Sequence, residues 1–155
     1  MRKKTSSGRH NTPDPKYGDP LVSEFINCVM KGGGKHRARR ILYDAFSIIE
    51  DRTKGDGLEV FKKAMSNARP VLEVKARRVG GATYQVPTEV RHDRSVALAI
   101  RWLINYASER KDRSFSQKLA AEFIAASNGE GNAIKKKDDT HKMAEANKAF
   151  AHFRW

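Results

Sequence analysis

The 155-residue chain carries 31 Lys and Arg against 18 Asp and Glu, a formal charge of +13, with 39% apolar residues. That apolar share supports one compact domain with its own core, whereas the surplus positive charge repels itself in a folded body and points to a polyanionic partner. A single cysteine, Cys28, excludes an internal disulfide and a Cys-rich metal site, and the absence of any run of about 18 apolar residues excludes a transmembrane helix. The polar, basic opening MRKKTSSGRHNTPDPKYGDP is not a secretory signal, so the expectation is a soluble intracellular protein whose partner is nucleic acid rather than a membrane.

Residues 1–18 hold Arg2, Lys3, Lys4, Arg9 and Lys16 against Asp14 alone, among small, polar and proline residues. Such a segment buries too little apolar surface to order itself. It predicts a basic arm that takes shape on phosphate, followed by a single helical domain over 19–155. Asp19 and Pro20 supply an N-cap and a first-turn proline, and Leu21, Val22, Phe25, Ile26, Val29 and Met30 recur at helical spacing. Lys31 leads into Gly32-Gly33-Gly34, which ends this first helix. A second begins near Lys35, with Ala38, Ile41, Leu42, Ala45, Ile48 and Ile49 inward. Arg37 and Arg40 sit near its start, where the helix dipole favours acids. An external phosphate on Lys35, Arg37 and free backbone N–H groups removes the conflict. A plain helix-ending loop explains the glycines equally well, and no G-x-x-x-x-G-K-[ST] pattern marks a nucleotide pocket.

The spacing of Leu58, Phe61, Met65 and Ala68 predicts a third helix over about Leu58–Arg69, opened by an Asp56/Glu59 capping box and stopped by Pro70. Residues 71–90, VLEVKARRVGGATYQVPTEV, read as two strands joined by Gly80-Gly81, both free to take positive φ. The register sets Val79 opposite Ala82, Arg78 opposite Thr83, Arg77 opposite Tyr84 and Lys75 opposite Val86. Leu72 and Val74 give the base an apolar patch that can dock on helices, while the cations lie farther out. Pro87 belongs on an outer edge. Asp93 offers a cap to a fourth helix containing Val96, Ile100, Leu103, Ile104 and Ala107, with Trp102 and Tyr106 as flanking packing residues. Ser114 and Gln117 form a capping box for a fifth, which buries Phe115, Leu119, Phe123 and Ile124 and ends at Asn128-Gly129. Lys135, Lys136 and Lys137 then precede Asp138 and Asp139 at the mouth of a sixth, where Met143, Asn147 and Phe150 share a face. The fold class is mainly α: a six-helix bundle with a projecting two-stranded β-hairpin between helices three and four.

Arg77 and Arg78 point to opposite faces of a narrow ribbon. Such a ribbon can enter a groove or junction and touch two strands of nucleic acid, which a decorative surface hairpin has no need to do. His10, His36, His92, His141 and His152 are scattered, without metal-ligand spacing, and no serine has an evident base beside it. Asp138 to His141 reads as a helix start rather than an acid–base pair. No enzyme activity, metal or cofactor is expected.

The segments RPVLEVKARRVGGATYQVPTEV (69–90), RSVALAIRWL (94–103), AIKKKDDTHKMAEANKAFAHFRW (133–155) and DPKYGDPLVSEFINCVM (14–30) resemble ribosomal protein seven of the small subunit, in its bacterial form. The resemblance covers nearly the whole chain from about residue 13. It implies a helical protein with a projecting hairpin that binds the 3′ major domain of 16S ribosomal RNA and nucleates assembly of the subunit head. Its implied neighbours are other head proteins, exit-site tRNA and the mRNA exit path. Lys75, Arg77, Arg78, Tyr84 and Gln85 match the family's hairpin, and Tyr84, Gln85, Gly80 and Gly81 become candidates for base, tRNA or mRNA contact. Arg91 and Arg94 match its basic junction to the fourth helix, and Lys135, Lys136 and Lys137 its C-terminal basic run. The loop Gly33-Gly34-Lys35 departs from the family's usual G-K-K by one lysine, for which Arg37 can substitute. Recognition of RNA shape and backbone is the expected mechanism. The rival reading is an architectural DNA-binding protein using a basic β-arm.

Overall fold

The computed structural model describes residues 12–153. Six helices run in chain order: α1 Pro20–Val29, α2 Lys35–Thr53, α3 Gly57–Ala68, α4 His92–Glu109, α5 Phe115–Ser127 and α6 Asn132–Ala146. Between α3 and α4 stand β1 Leu72–Val79 and β2 Ala82–Glu89, and a 3₁₀ turn over Lys148–Phe153 follows α6. The mainly α architecture with one inserted hairpin is the one the sequence predicts.

Three of the six helix starts, those of α1, α3 and α5, are capped by the side chains the sequence offers. The Asp19 carboxylate accepts from Leu21 N at 2.8 Å with Pro20 in the first turn, and Ser114 and Gln117 form a complete capping box. Asp56 caps α3 by accepting from Leu58 N at 2.9 Å, but Glu59 stands in the first turn without returning a bond, so the reciprocal half of the expected box is missing. The fourth helix starts at His92, before Asp93. Arg91 holds the N-cap position without a capping bond, and Asp93 sits in the first turn as a dipole-compatible acid.

The sixth helix departs furthest from expectation. It begins at Asn132, six residues before Asp138, because its free N–H groups find a partner from another element. Oε1 of the buried Glu122 on α5 accepts from Ala133 N at 3.2 Å, while its Oε2 accepts from Arg110 Nε at 2.7 Å. Lys135, Lys136 and Lys137 therefore lie on α6 instead of preceding it, and Asp138 and Asp139 lie mid-helix. Phe150 falls in the 3₁₀ turn, beyond the helix face assigned to it.

Phe25, Phe46, Phe61 and Phe123, from α1, α2, α3 and α5, meet at the centre with ring centroids 5.3–5.4 Å apart, mostly edge to face. Leu42, Ile49, Ile100, Leu103 and Leu119 complete a fully enclosed apolar core around them. The hairpin packs on α6 and on the 3₁₀ turn, with the register expected from the Gly80-Gly81 turn. Gly80 and Gly81 take φ of 57° and 90°, which favours glycine at both. Val86 is its most enclosed side chain, whereas Leu72 and Val74 are half-buried.

Gly57, at the start of α3, lies against Phe46 of α2 with no room for a side chain. A Cβ there would lie 2.9 Å from the Phe46 carbonyl oxygen and 3.0 Å from the Phe46 Cβ. Gly57→Ala should therefore destabilise the fold by about 1–3 kcal/mol despite its better helix propensity. Urea unfolding checks this, and an unchanged or raised midpoint would show that the α2–α3 contact is loose.

Candidate nucleic-acid interface

The predicted cations separate into groups with different surroundings. Arg2, Lys3, Lys4 and Arg9 lie outside the described residues. Residues 14–18, assigned to the arm by composition, instead fold against α2. Asp14 is 3% exposed and its Oδ2 accepts from Tyr43 Oη at 2.6 Å, Lys16 N at 3.1 Å and Tyr17 N at 3.3 Å. Arg39 Nε stands 3.6 Å from its other oxygen, an ion pair without a hydrogen bond. Burial and the bond to Asp14 push the Tyr43 phenol up to about 12. Tyr17 packs edge-on against Tyr43 and Phe46, and Lys16 Nζ lies 5.0 and 5.1 Å from the Tyr17 and Tyr43 ring centroids. The arm is thus rooted on α2, and its one cation within the described residues rests on two rings.

Lys31, Lys35, Arg37 and Arg40 surround the Gly32–Gly34 loop and the start of α2, and none has a side-chain hydrogen-bond or ion-pair partner among the described residues. Gly34 gives α2 no side-chain cap and no acid occupies its first turn. The local conflict read from the sequence is present in the fold.

At the hairpin root a carboxylate organises the cations. Glu73 is 7% exposed and accepts from Arg94 Nε at 2.8 and 3.0 Å, while Lys75 Nζ lies 3.0 Å from its Oε1. Burial pushes its carboxyl up, but the hydrogen bonds from Arg94 and Lys75 outweigh that and leave it below its ordinary 4.5. Glu73, Lys75, Glu89, Arg91, Asp93 and Arg94 together line a shallow hollow. Arg91 is exposed at the edge of this set.

Farther out, Arg77, Arg78 and Gln85 are exposed, and the Gly80-Gly81 tip carries no bulk. Tyr84 is half-buried, with its ring 5.3 Å from that of Phe150 at 49°. The ring expected to meet a base is thus partly engaged by the C-terminal turn. The hairpin root is tied to α6, where His141 Nε2 accepts from Val71 N at 3.0 Å. On α6, Lys135 is exposed, whereas Lys137 Nζ donates to the Asn67 carbonyl at 2.9 Å and so satisfies the C-terminal end of α3. Hairpin and α2 pack on different elements, the first on α6 and the 3₁₀ turn, the second on α1, α3 and α5.

Comparison with known proteins names the lineage. The model of the family described as ribosomal protein S7p/S5e matches residues 1–148. The chain belongs to this family. It is similar to the small ribosomal subunit protein uS7 of Salinibacter ruber, 57% identical over 155 residues and 99% of each chain. The same protein of Gemmatimonas aurantiaca is 58% identical over 154 residues, again 99% of each chain, and that of Carboxydothermus hydrogenoformans 62% over 143 residues, 92% of each. An S7p/S5e protein is a ribosomal protein and not an enzyme. Among the described residues no helix is long and apolar enough to cross a membrane.

Two residues at this S7p/S5e surface escaped sequence reasoning. Glu73 sits in β1 beside cations, and alternation assigns it a face without revealing that Arg94, 21 positions later, closes on it. Phe150 reads as one more apolar helix residue until the end of α6 moves it onto Tyr84. Because the Glu73 carboxyl is lowered in the fold, its contribution to stability is fully present above its unfolded value of 4.5 and is lost as pH falls through the lower folded value. Glu73→Gln should therefore flatten the decline of the urea midpoint between pH 4.5 and more acidic conditions. A wild-type and variant decline of equal steepness would show that the clamp is not coupled to folding.

Proposed function

We propose that the chain is a structural constituent of the small ribosomal subunit that binds the 3′ major domain of 16S ribosomal RNA and nucleates assembly of the head. Other head proteins, exit-site tRNA and the mRNA exit path are its proposed neighbours. The observation that carries this reading is a set of exposed cations with no internal partner. Lys31, Arg37, Arg40, Arg78 and Arg91 are exposed and unpaired among the described residues, on elements anchored to one core. Lys75, Arg94 and Lys137 differ, because each already bonds within the protein. In this reading the free cations meet phosphate, and the bonded ones hold the hairpin and α6 where contact occurs.

Spatially separated cations on a stiff body favour a folded RNA whose phosphates match their spacing over a uniform duplex. Folded RNA hides its deep groove, so backbone and shape supply most of the recognition. The Gly80-Gly81 tip and Gln85 remain available to an unstacked base, and Tyr84 stands beside them with its ring against Phe150.

A labelled RNA fragment of the 3′ major domain, competed by excess duplex DNA at moderate salt, separates this function from a DNA-bending role. Unlabelled RNA should displace the label and duplex DNA should not; equal displacement by DNA would sink the ribosomal reading. In the same assay Arg77→Ala with Arg78→Ala should weaken binding and lower the salt slope by about two units or less, with the fold intact by circular dichroism. An unaltered affinity and slope would remove the hairpin from the interface.

A further inference from the structure

Between the Gly32–Gly34 loop and the corner where α4 approaches α5 lies a groove of about 410 Å³. Val29, Ile41, Ile104 and Phe115 form its apolar part, and Lys31, Arg37, Asn105 and Ser108 its polar part. A second hollow of about 310 Å³ shares Cys28, Ile104 and Asn105 with the first and continues along α4 to Arg101. Among the described residues no acidic side chain lines either hollow. Asn105 is exposed where the two meet, and its amide has no hydrogen-bond partner among the described residues.

This combination is selective. An apolar hollow within the range of small-molecule sites, about 300–1,000 Å³, takes a flat or compact apolar body. Unpaired cations beside it ask for an anion attached to that body. A free carboxamide adds one donor and one acceptor side by side, the pattern that reads a base edge. A nucleotide unites all three in one unit, and unstacked bases are the parts of folded RNA that proteins bind in pockets.

We propose that the groove receives one unstacked nucleotide of the bound RNA. Its base lies against Ile104 and Phe115, its phosphate meets Lys31 and Arg37, and Asn105 bonds the base edge. The inference rests on the RNA-binding function proposed above. It adds the C-terminal half of α4 and the start of α5 to the recognition surface.

The test uses the full chain and the 3′ major domain RNA fragment. Asn105→Trp places a bulky ring at the groove mouth from an exposed position and removes no cation. It should weaken RNA binding about ten-fold, the scale of one lost base contact, with an unchanged salt slope. Chemical probing of the RNA should show one nucleotide protected by the wild type and reactive with the variant. Cys28 supplies a second route if the tryptophan variant melts early. Cys28 lines the same groove, and N-ethylmaleimide on its thiol should produce the same loss and the same newly reactive nucleotide. Alkylation needs mildly alkaline conditions, because burial and Glu24 push the thiol up. Wild-type affinity and probing pattern after either block would overturn the groove assignment, as would loss of binding to another ribosomal protein with RNA binding intact. Failure of the wild type to prefer RNA over duplex DNA would instead reject the parent function.

Discussion

The contact on which the rest depends is the meeting of Phe25, Phe46, Phe61 and Phe123. Their rings come from four helices and all are fully buried. Edge-to-face pairs of this kind contribute about 0.5–1.5 kcal/mol each beyond their buried area, and they also fix orientation. A chain with net charge +13 needs such a nucleus, because its surface charges push the folded state apart. The hairpin lies outside this cluster. The fully buried Val86 anchors it, together with three further contacts: Glu73 with Arg94, His141 with Val71, and Phe150 with Tyr84. Two levels of attachment result, a dense apolar centre and a mixed joint that carries the ribbon.

The buried acids decide which cations are left for a partner. Asp14 engages Tyr43 and stands near Arg39, Glu122 engages Arg110 and the start of α6, and Glu73 engages Arg94 and Lys75. Each desolvated carboxylate is compensated by an opposite charge and by N–H or O–H donors, as burial of charge requires. Among the described residues, Lys31, Lys35, Arg37 and Arg40 around the Gly32–Gly34 loop and Arg78 on the hairpin keep no internal partner. In this account the acids act as internal counterions that orient the surface, and RNA supplies the external ones.

Much of the fold was legible because it is written in short-range chemistry. Periodic apolar residues mark α1, α2, α3 and α5; Asp19, Ser114 and Asn128 mark helix ends; Gly80-Gly81 sets the hairpin register. The misread parts depend on distant partners. The start of α6 rests on Glu122, 11 positions away from Ala133, which no local capping rule contains. Residues 14–18 read as arm because Asp14 looks like a lone acid among cations, yet Tyr43 is 29 positions away and waits for it. The candidate contacts were found as charges, but charge alone does not separate Arg78, which is exposed, from Lys137, which closes the end of α3. That distinction needs the fold.

The central claim is that phosphate neutralisation by prepositioned cations drives association. The affinity of the wild-type chain for the 3′ major domain RNA, measured across a salt titration, tests it most directly. The account predicts a steep linear fall of log affinity with log salt, with a slope of roughly −0.7 to −0.9 for each phosphate neutralised and several phosphates engaged. Affinity that holds constant from dilute buffer to concentrated electrolyte would contradict it.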